Sequence, residues 1–174
     1  AILEIGKSSA MLVKNEQIPG ETLVEGDRIK IYVVEVRKTQ RGPQVLISRT
    51  HQGLVKRLFE LEIPEIYDGT VEIKSISREA GSRTKIAVWS ANEEIDPVGS
   101  CIGAKGMRIT NICNELKGEK IDIIKYSDDP EEYVAQALAP ANIISVLANE
   151  SEKTCTVIVS DDQLSLAIGK EGQN

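Results

Sequence analysis

The sequence predicts a multidomain protein of the β plus α+β class, in which a short β segment precedes two copies of one α+β module. Three observations predict this class. Short β-branched runs alternate with Gly and Pro in residues 1–50, helical periodicity begins at His51, and a pattern recurs at an offset of 66 residues. We therefore divide the chain into residues 1–50, 51–127 and 128–174.

The first segment has the pattern of short strands. It contains "AILEIG" and "AMLV", a turn at "QIPGE", then "RIKIYVVEV", a polar loop "RKTQRGPQ" and finally "VLIS". Such runs are typical of a small barrel or sandwich. A barrel of this kind needs about five strands, so we expect a partial barrel whose first strands are missing.

The second segment mixes helices and strands. A helix with one apolar stripe is predicted by five residues, namely Leu54, Val55, Leu58, Phe59 and Leu61. The strands "VEIKSIS" and "TKIAVWS" follow around the turn "EAGSR", and then a helix, the loop "GAKG" and a second helix. That helix stops at Lys117-Gly118, before the strand "EKIDIIKY".

The third segment repeats this order. "PEIY" at residues 64–67 recurs as "PEEY" at 130–133, and Ile102-Gly103 recurs as Ile168-Gly169, both at an offset of 66. Between these anchors, "IKSIS" and "KIAV" correspond to "ISVLA" and "TVIV" at an offset of 71. Insertions and deletions are tolerated in loops, so the pattern predicts a duplicated module. The second copy is expected to be truncated, without the last helix and strand.

Composition and charge narrow the function classes. Aromatic residues make up only 3% of the chain, which argues against an RNA-recognition motif that binds by stacking. The negative net charge of −6 arises in residues 128–174, whose nine acidic and two basic side chains give −7, whereas the rest of the chain gives +1. Any binding of a polyanion must therefore depend on local geometry, with a modest dependence on salt.

Cysteine usage and hydropathy indicate a soluble cytoplasmic protein with no membrane partner. The three cysteines, Cys101, Cys113 and Cys155, lack a C-x-x-C pair and are expected to be buried thiols. Apolar runs are much shorter than a membrane span, and we expect no leader peptide, cofactor or metal ligand set.

Two Gly-x-x-Gly turns are the candidate phosphate-binding sites of the sequence. The first is Gly103-Ala104-Lys105-Gly106 and the second is Gly169-Lys170-Glu171-Gly172. A helix that starts at such a turn has free N–H groups, and glycine lets a phosphate approach them closely. Aliphatic side chains beside the first turn would line a groove for unstacked bases: Val98, Ile102, Ile109 and Ile121. This is the arrangement of the KH module, whose loop clamps about four nucleotides of single-stranded RNA.

Nucleotide binding by a P-loop and acid–base catalysis fit the sequence less well than RNA binding. A phosphate-binding P-loop needs Ser or Thr after its lysine, whereas Lys105 precedes Gly106 and Lys170 precedes Glu171. The single histidine, His51, heads an amphipathic helix with no paired ligand and is expected either to cap that helix or to lie on the surface. Three acidic pairs also fall at predicted helix starts and are interpreted as caps rather than as an acid–base dyad: Asp128-Asp129, Glu131-Glu132 and Asp161-Asp162. No catalytic residue is predicted.

The chain resembles the NusA family of bacterial transcription factors. The resemblance rests on "GDRIKIYVVEVRKTQRGPQVLISRTH", "DPVGSCIGAKGMRI", "NELKGEKIDII" and "DDQLSLAIGKEGQN", and it covers essentially the whole chain. It implies a partial OB-fold barrel of the ribosomal-protein S-one type, followed by two type II KH domains. It also implies binding of nascent single-stranded RNA during elongation, pausing, termination and antitermination. RNA polymerase and other transcription factors would be partners of the parent protein, which would be monomeric.

The predicted RNA contacts are the two loops and nearby cations. At the first loop they are Ile102, Gly103, Ala104, Lys105, Gly106 and, after the loop, Arg108. At the second loop they are Gly169, Lys170, Glu171 and Gly172. They also include Arg37, Lys38 and Arg41 at the barrel hairpin. Two alternatives stay open: an RNA-binding appendage of an exoribonuclease such as polynucleotide phosphorylase, and a protein-interaction scaffold, which the acidic last segment favours.

Overall fold

A computed structural model describes residues 1–40 and 42–174. Within them the β segment consists of two antiparallel hairpins, β1 (Ile2–Ile5) with β2 (Ser8–Met11) and β3 (Tyr32–Thr39) with β4 (Gly42–Ser48). Ala10, Leu12 and Ile47 form the buried centre of a small core that the two hairpins share. The described strands do not close into a barrel.

Two details of this segment differ from the sequence prediction. The strand expected from Arg28 begins only at Tyr32, and the predicted loop "RKTQRGPQ" is instead mostly strand, since β3 continues to Thr39 and β4 starts at Gly42. Cross-strand pairing explains the second error: Arg37 pairs with Gln44 in a hairpin whose strand β3 is exposed on both faces, so its polar residues are consecutive and resemble a loop in sequence.

The buried guanidinium of Arg49 joins the β segment to the first module. Its Nε donates to Glu21 Oε2 at 2.9 Å, and its two terminal nitrogens donate to the carbonyl oxygens of Lys30 and Glu115. One of them also lies 3.2 Å from the Glu115 carboxylate. Removing one member of such a buried ion pair costs about 3–5 kcal/mol, so this contact fixes the orientation of the two parts.

The first module packs helices on one face of a three-stranded sheet. Its elements are α1 (Gln52–Glu62), the short α2 (Pro64–Tyr67), β5 (Glu72–Glu79), β6 (Arg83–Trp89), α3 (Pro97–Ile102), α4 (Met107–Glu115) and β7 (Lys120–Lys125). The strand order is β5-β6-β7, with β5 antiparallel and β7 parallel to β6.

The core of the first module lies between the helices and the sheet. Leu54, Val55, Leu58 and Phe59 of α1 are buried in it, as the apolar stripe predicts. Leu61 was expected in the same stripe but is 73% exposed. His51 accepts a hydrogen bond from the Gly53 amide, which confirms its predicted role as a helix cap.

The second module repeats the first. It contains α5 (Pro130–Ala137), β8 (Ile143–Asn149), β9 (Thr154–Val159) and α6 (Asp161–Ile168). In each copy the first strand of the pair contains a bulge, and the helix that follows the pair ends at an Ile-Gly step. The duplication inferred from the sequence is therefore confirmed. Within the described residues the second copy has no counterpart of α4 or β7.

The two modules contact each other directly. Ser75 Oγ lies 2.6 Å from the hydroxyl oxygen of Tyr133 on α5, and Lys85 Nζ donates to the carbonyl oxygen of Ala137 at the end of that helix. Tyr126, just after β7, packs edge-to-face on Tyr133. Helix α5 therefore lies against the sheet face opposite the first module's own helices. In the part of the chain that the structure describes, no helix has the length and apolarity to cross a membrane.

Candidate nucleic-acid interface

The first Gly-x-x-Gly loop is a sharp turn between two helices. Helix α3 ends at Ile102, and Gly103 then adopts φ 73° and ψ 177°. Lys105 and Gly106 follow in the left-handed region, with φ 54° and φ 74°, and α4 begins at Met107. The turn is closed by a hydrogen bond from the Gly106 amide to the Gly103 carbonyl oxygen at 3.1 Å.

The second loop has the same backbone. Gly169 adopts φ 75° and ψ 175°, Glu171 adopts φ 55° and ψ 25°, and Gly172 has φ 73°. The Gly172 amide donates to the Gly169 carbonyl oxygen at 3.3 Å, as in the first loop. Two turns with the same unusual dihedral angles, at equivalent places in a duplicated module, indicate that the two loops share one structural role.

Glycine occupies the first and the last position of the loop for different physical reasons. Gly103 has dihedral angles that are almost exclusive to glycine, and a Cβ atom there would lie 2.7 Å from Arg108 Cγ and Cδ. At Gly106 a Cβ atom would meet nothing within 4 Å. The first glycine is thus required by its dihedral angles and favoured by the side chain that crosses it, whereas the second leaves open space above the backbone where a ligand can approach.

Arg108 is predicted from the sequence to contact phosphate. In the structure its guanidinium already has hydrogen-bond partners within the protein. Its side chain crosses Gly103, and its guanidinium donates to the Ser100 carbonyl oxygen and to Glu65 Oε2, at 2.6 and 2.8 Å. Asn174 occupies the equivalent place in the second loop and donates to the Leu166 carbonyl oxygen at 3.0 Å. These side chains brace the end of the preceding helix, a role that has no signal in the sequence.

The charges of the two loops are not equivalent. Superposing the repeats by their dihedral angles places Lys105 opposite Glu171, and Ala104 opposite Lys170. All four side chains are exposed. The first loop therefore presents a cation in its left-handed position, and the second presents a carboxylate there.

The predicted groove residues are only partly accessible. Ile102 is 40% exposed at the end of α3. Val98, Ile109 and Ile121 are half-buried and pack against the core of the first module. The surface that a base could reach beside the loop is therefore formed mainly by Ile102 and by Met107, which is 64% exposed.

The barrel hairpin presents fewer free cations than its sequence suggests. Arg37 is paired with Glu35, its Nε lying 2.9 Å from Oε2, and this hydrogen bond lowers the pKa of the Glu35 carboxyl. Lys38 is exposed on the same strand. Arg41, the third predicted contact, lies outside the described residues.

One contact between the modules has no signal in the sequence. The side-chain amide of Gln173, the residue after the second loop, donates to Glu79 Oε2 at 3.3 Å and to Ser82 Oγ. Both acceptors belong to the turn region between β5 and β6. The second loop is thereby anchored to the sheet of the first module.

The cysteines do not form a metal site. Among residues 1–40 and 42–174 no group of His, Cys, Asp or Glu side chains is arranged to hold a metal ion. Cys101 is buried and burial raises its thiol pKa to about 12, and Cys113 is half-buried with a raised pKa for the same reason. Cys155 is exposed, so the prediction of a buried thiol is wrong for this residue. It lies on β9, which pairs only with β8 among the residues that the structure describes.

The duplicated α/β module and its two Gly-x-x-Gly turns define a tandem KH protein. Family models agree: residues 49–126 match the NusA-like first KH domain and residues 130–174 match the NusA-like second KH domain. The chain belongs to the NusA family.

The family's curated members support this assignment over nearly the whole chain. The chain is 61% identical to the transcription termination/antitermination protein NusA of Halalkalibacterium halodurans over 99% of its length, and 59% identical to that of Bacillus subtilis. It is 48% identical to the protein of the same name from Thermus thermophilus. The chain spans 45%, 46% and 44% of these relatives. Their shared name describes a transcription factor rather than an enzyme.

Proposed function

We propose that this chain is the RNA-binding region of a bacterial transcription termination/antitermination factor, and that it binds single-stranded nascent RNA without catalysing a reaction on it. The observation that carries the proposal is the shared geometry of the two loops, each with glycines of φ 73–75° on both sides of the turn. Geometry of this kind exposes backbone where a phosphate can approach.

The first loop has what a phosphate site needs. Helix α4 is nine residues long and its N-cap residue is Gly106, so no side chain caps its first N–H groups. Those groups and the helix dipole attract an anion. The exposed Lys105 adds a charge within the loop, and Ile102 offers an apolar surface for a base.

The proposed path of the RNA follows from the contact between the modules. Tyr133 and Ala137 of α5 are held on the first sheet, and Gln173 is held on the β5–β6 turn region. The distance between the two loops is therefore set by packing rather than by a flexible linker. A single strand that occupies both loops gains from the high effective concentration of the second contact.

The wider role is proposed from the relatives. Their name refers to termination and antitermination, so we propose that the parent protein acts on transcribing RNA polymerase in the bacterial cytoplasm, and that it is monomeric. The family assignment favours this function over an exoribonuclease appendage. Phosphate-dependent degradation of added RNA would be the sign of the alternative.

Titration with RNA tests the proposal directly. A labelled single-stranded RNA of about ten nucleotides, long enough for two four-nucleotide contacts, is expected to bind, and the same sequence in a duplex is expected to bind much more weakly. Equal affinity for the two forms, or no binding of the single strand, would overturn the proposal.

A further inference from the structure

One end of the first module's sheet carries a row of charged residues on the face that the second module covers. The strand register places Glu79 opposite Arg83, and Arg83 opposite Lys120. Ile121 and Ile123 of β7 pack against the helix-side core, so Lys120 and Asp122, at alternate positions, belong to the opposite face. The ion pair between Arg83 and Asp122 confirms that these side chains share a face.

The second Gly-x-x-Gly loop lies beside this row. Gln173 follows Gly172 directly, and its side-chain amide donates to Glu79 Oε2 and to Ser82 Oγ. Ser82 in turn accepts a backbone hydrogen bond from the Lys120 amide at 3.1 Å. Two hydrogen bonds therefore connect the residue after the loop to the start of β7.

The second loop lacks a cation in its left-handed position, and its own lysine, Lys170, lies one residue earlier, where the first loop has Ala104. Glu171 occupies the place of Lys105, and residues 128–174 contain only two basic side chains. The cations of the sheet face differ in their availability. Arg83 is bound to Asp122 at 2.5 Å, and Lys85 donates to the end of α5. Lys120 is exposed, and among the described residues it forms no ion pair.

We propose that Lys120 of the first module completes the phosphate site of the second Gly-x-x-Gly loop. The site is composite: the second module supplies the open backbone and Lys170, and the first module supplies a second cation on the Gln173 side of the loop. An RNA strand leaving the second loop toward Gln173 meets the ammonium group of Lys120, which offsets the repulsion of Glu171. This inference rests on the proposed function, because its ligand is the same single-stranded RNA.

Lys125 provides a matched control. It is an exposed lysine of the same strand, but it lies at the other end of β7 and at a position of the opposite parity. Lys120→Ala is expected to lower the affinity for a single-stranded RNA of about ten nucleotides by about fivefold at 0.1 M salt, which is the effect of one lost phosphate contact. The slope of log K against log salt should become shallower by about 0.7. Lys125→Ala is expected to change neither quantity.

A double-mutant cycle with Gly172→Asp assigns the contact to the second loop. A side chain at Gly172 meets no atom within 4 Å, so this variant blocks the loop without a clash. If Lys120 acts through that loop, Lys120→Ala should have almost no additional effect once Gly172→Asp is present. Circular dichroism of all variants checks that they are folded.

The outcomes distinguish a failure of the composite site from a failure of RNA binding itself. Additive effects of the two substitutions, or equal losses for Lys120→Ala and Lys125→Ala, would overturn the composite site and leave the proposed function intact. Failure of the unsubstituted chain to bind RNA would overturn both.

Discussion

Replacing Gly106 by Asp and, in parallel, by Asn separates the charge at the first loop from its shape. The two side chains have almost the same size, and both tolerate the left-handed backbone that Gly106 adopts at φ 74°. A Cβ atom at this position meets nothing within 4 Å, so neither variant creates a clash. The strain should therefore be about 1 kcal/mol and nearly equal for both variants.

The effect on RNA should differ strongly between them. A carboxylate about 5 Å from a bound phosphate repels it by about 1–3 kcal/mol, for effective dielectric constants between about 80 and 20. Since 1.4 kcal/mol corresponds to a factor of ten, Gly106→Asp should bind single-stranded RNA about 5- to 150-fold more weakly than Gly106→Asn.

Fluorescence titration with a labelled single-stranded RNA measures this ratio, and urea unfolding of both variants checks that their stabilities agree. The ratio should shrink as salt is raised, because an exposed charge is screened. Affinities for Gly106→Asp and Gly106→Asn that agree within about twofold at low salt would refute the placement of a phosphate at this loop.

Four further predictions follow from the same structure. Because few basic residues flank the loops, about two to four phosphates should be neutralised, and log K against log salt should have a slope of about −1.4 to −2.8; a much steeper slope would indicate a broad basic surface. A long Gly-Ser insert between Ser127 and Asp128 should weaken binding of an RNA that spans both loops by about tenfold or more and leave a tetranucleotide nearly unaffected, whereas equal affinity for the long RNA would show that the modules act independently. Gly103→Ala should lower the free energy of unfolding by about 1–3 kcal/mol in urea titration, since its Cβ atom would overlap the side chain that crosses the turn. Iodoacetamide at pH 8 should label Cys155 rapidly in the folded protein and leave Cys101 unmodified, because burial raises the pKa of the Cys101 thiol to about 12; mass spectrometry of the digest distinguishes the two.

The local features of the site were predictable from the sequence. A Gly-x-x-Gly motif between two apolar helical patterns is compatible with few backbone conformations, because only glycine readily adopts the dihedral angles found at Gly103 and Gly169. The equal offsets of the repeat then predicted the second loop from the first. His51 was predictable as a cap for a similar reason, since a cap acts on the amides of its own next turn.

Errors arose where local pattern and long-range pairing disagree. The polar stretch from Arg37 to Gln44 was expected to be a loop, but cross-strand hydrogen bonds keep most of it in a hairpin. Cys155 was expected to be buried on composition alone, yet it lies on a strand whose second edge has no partner in the described residues. Burial depends on what packs against an element, and the sequence of the element does not contain that information.

The sequence by itself determined the repeated module, the two loops and the family to which the chain belongs, because periodicity, glycine conformation and motif spacing are local properties. Only the tertiary structure decided which charges are available. It engages Arg108 with Ser100 and Glu65, and it brings Gln173 to the sheet of the first module, across 91 residues of chain from Ser82. Such contacts depend on how whole elements pack, and a side chain's charge in the sequence does not reveal whether folding has already given it a partner.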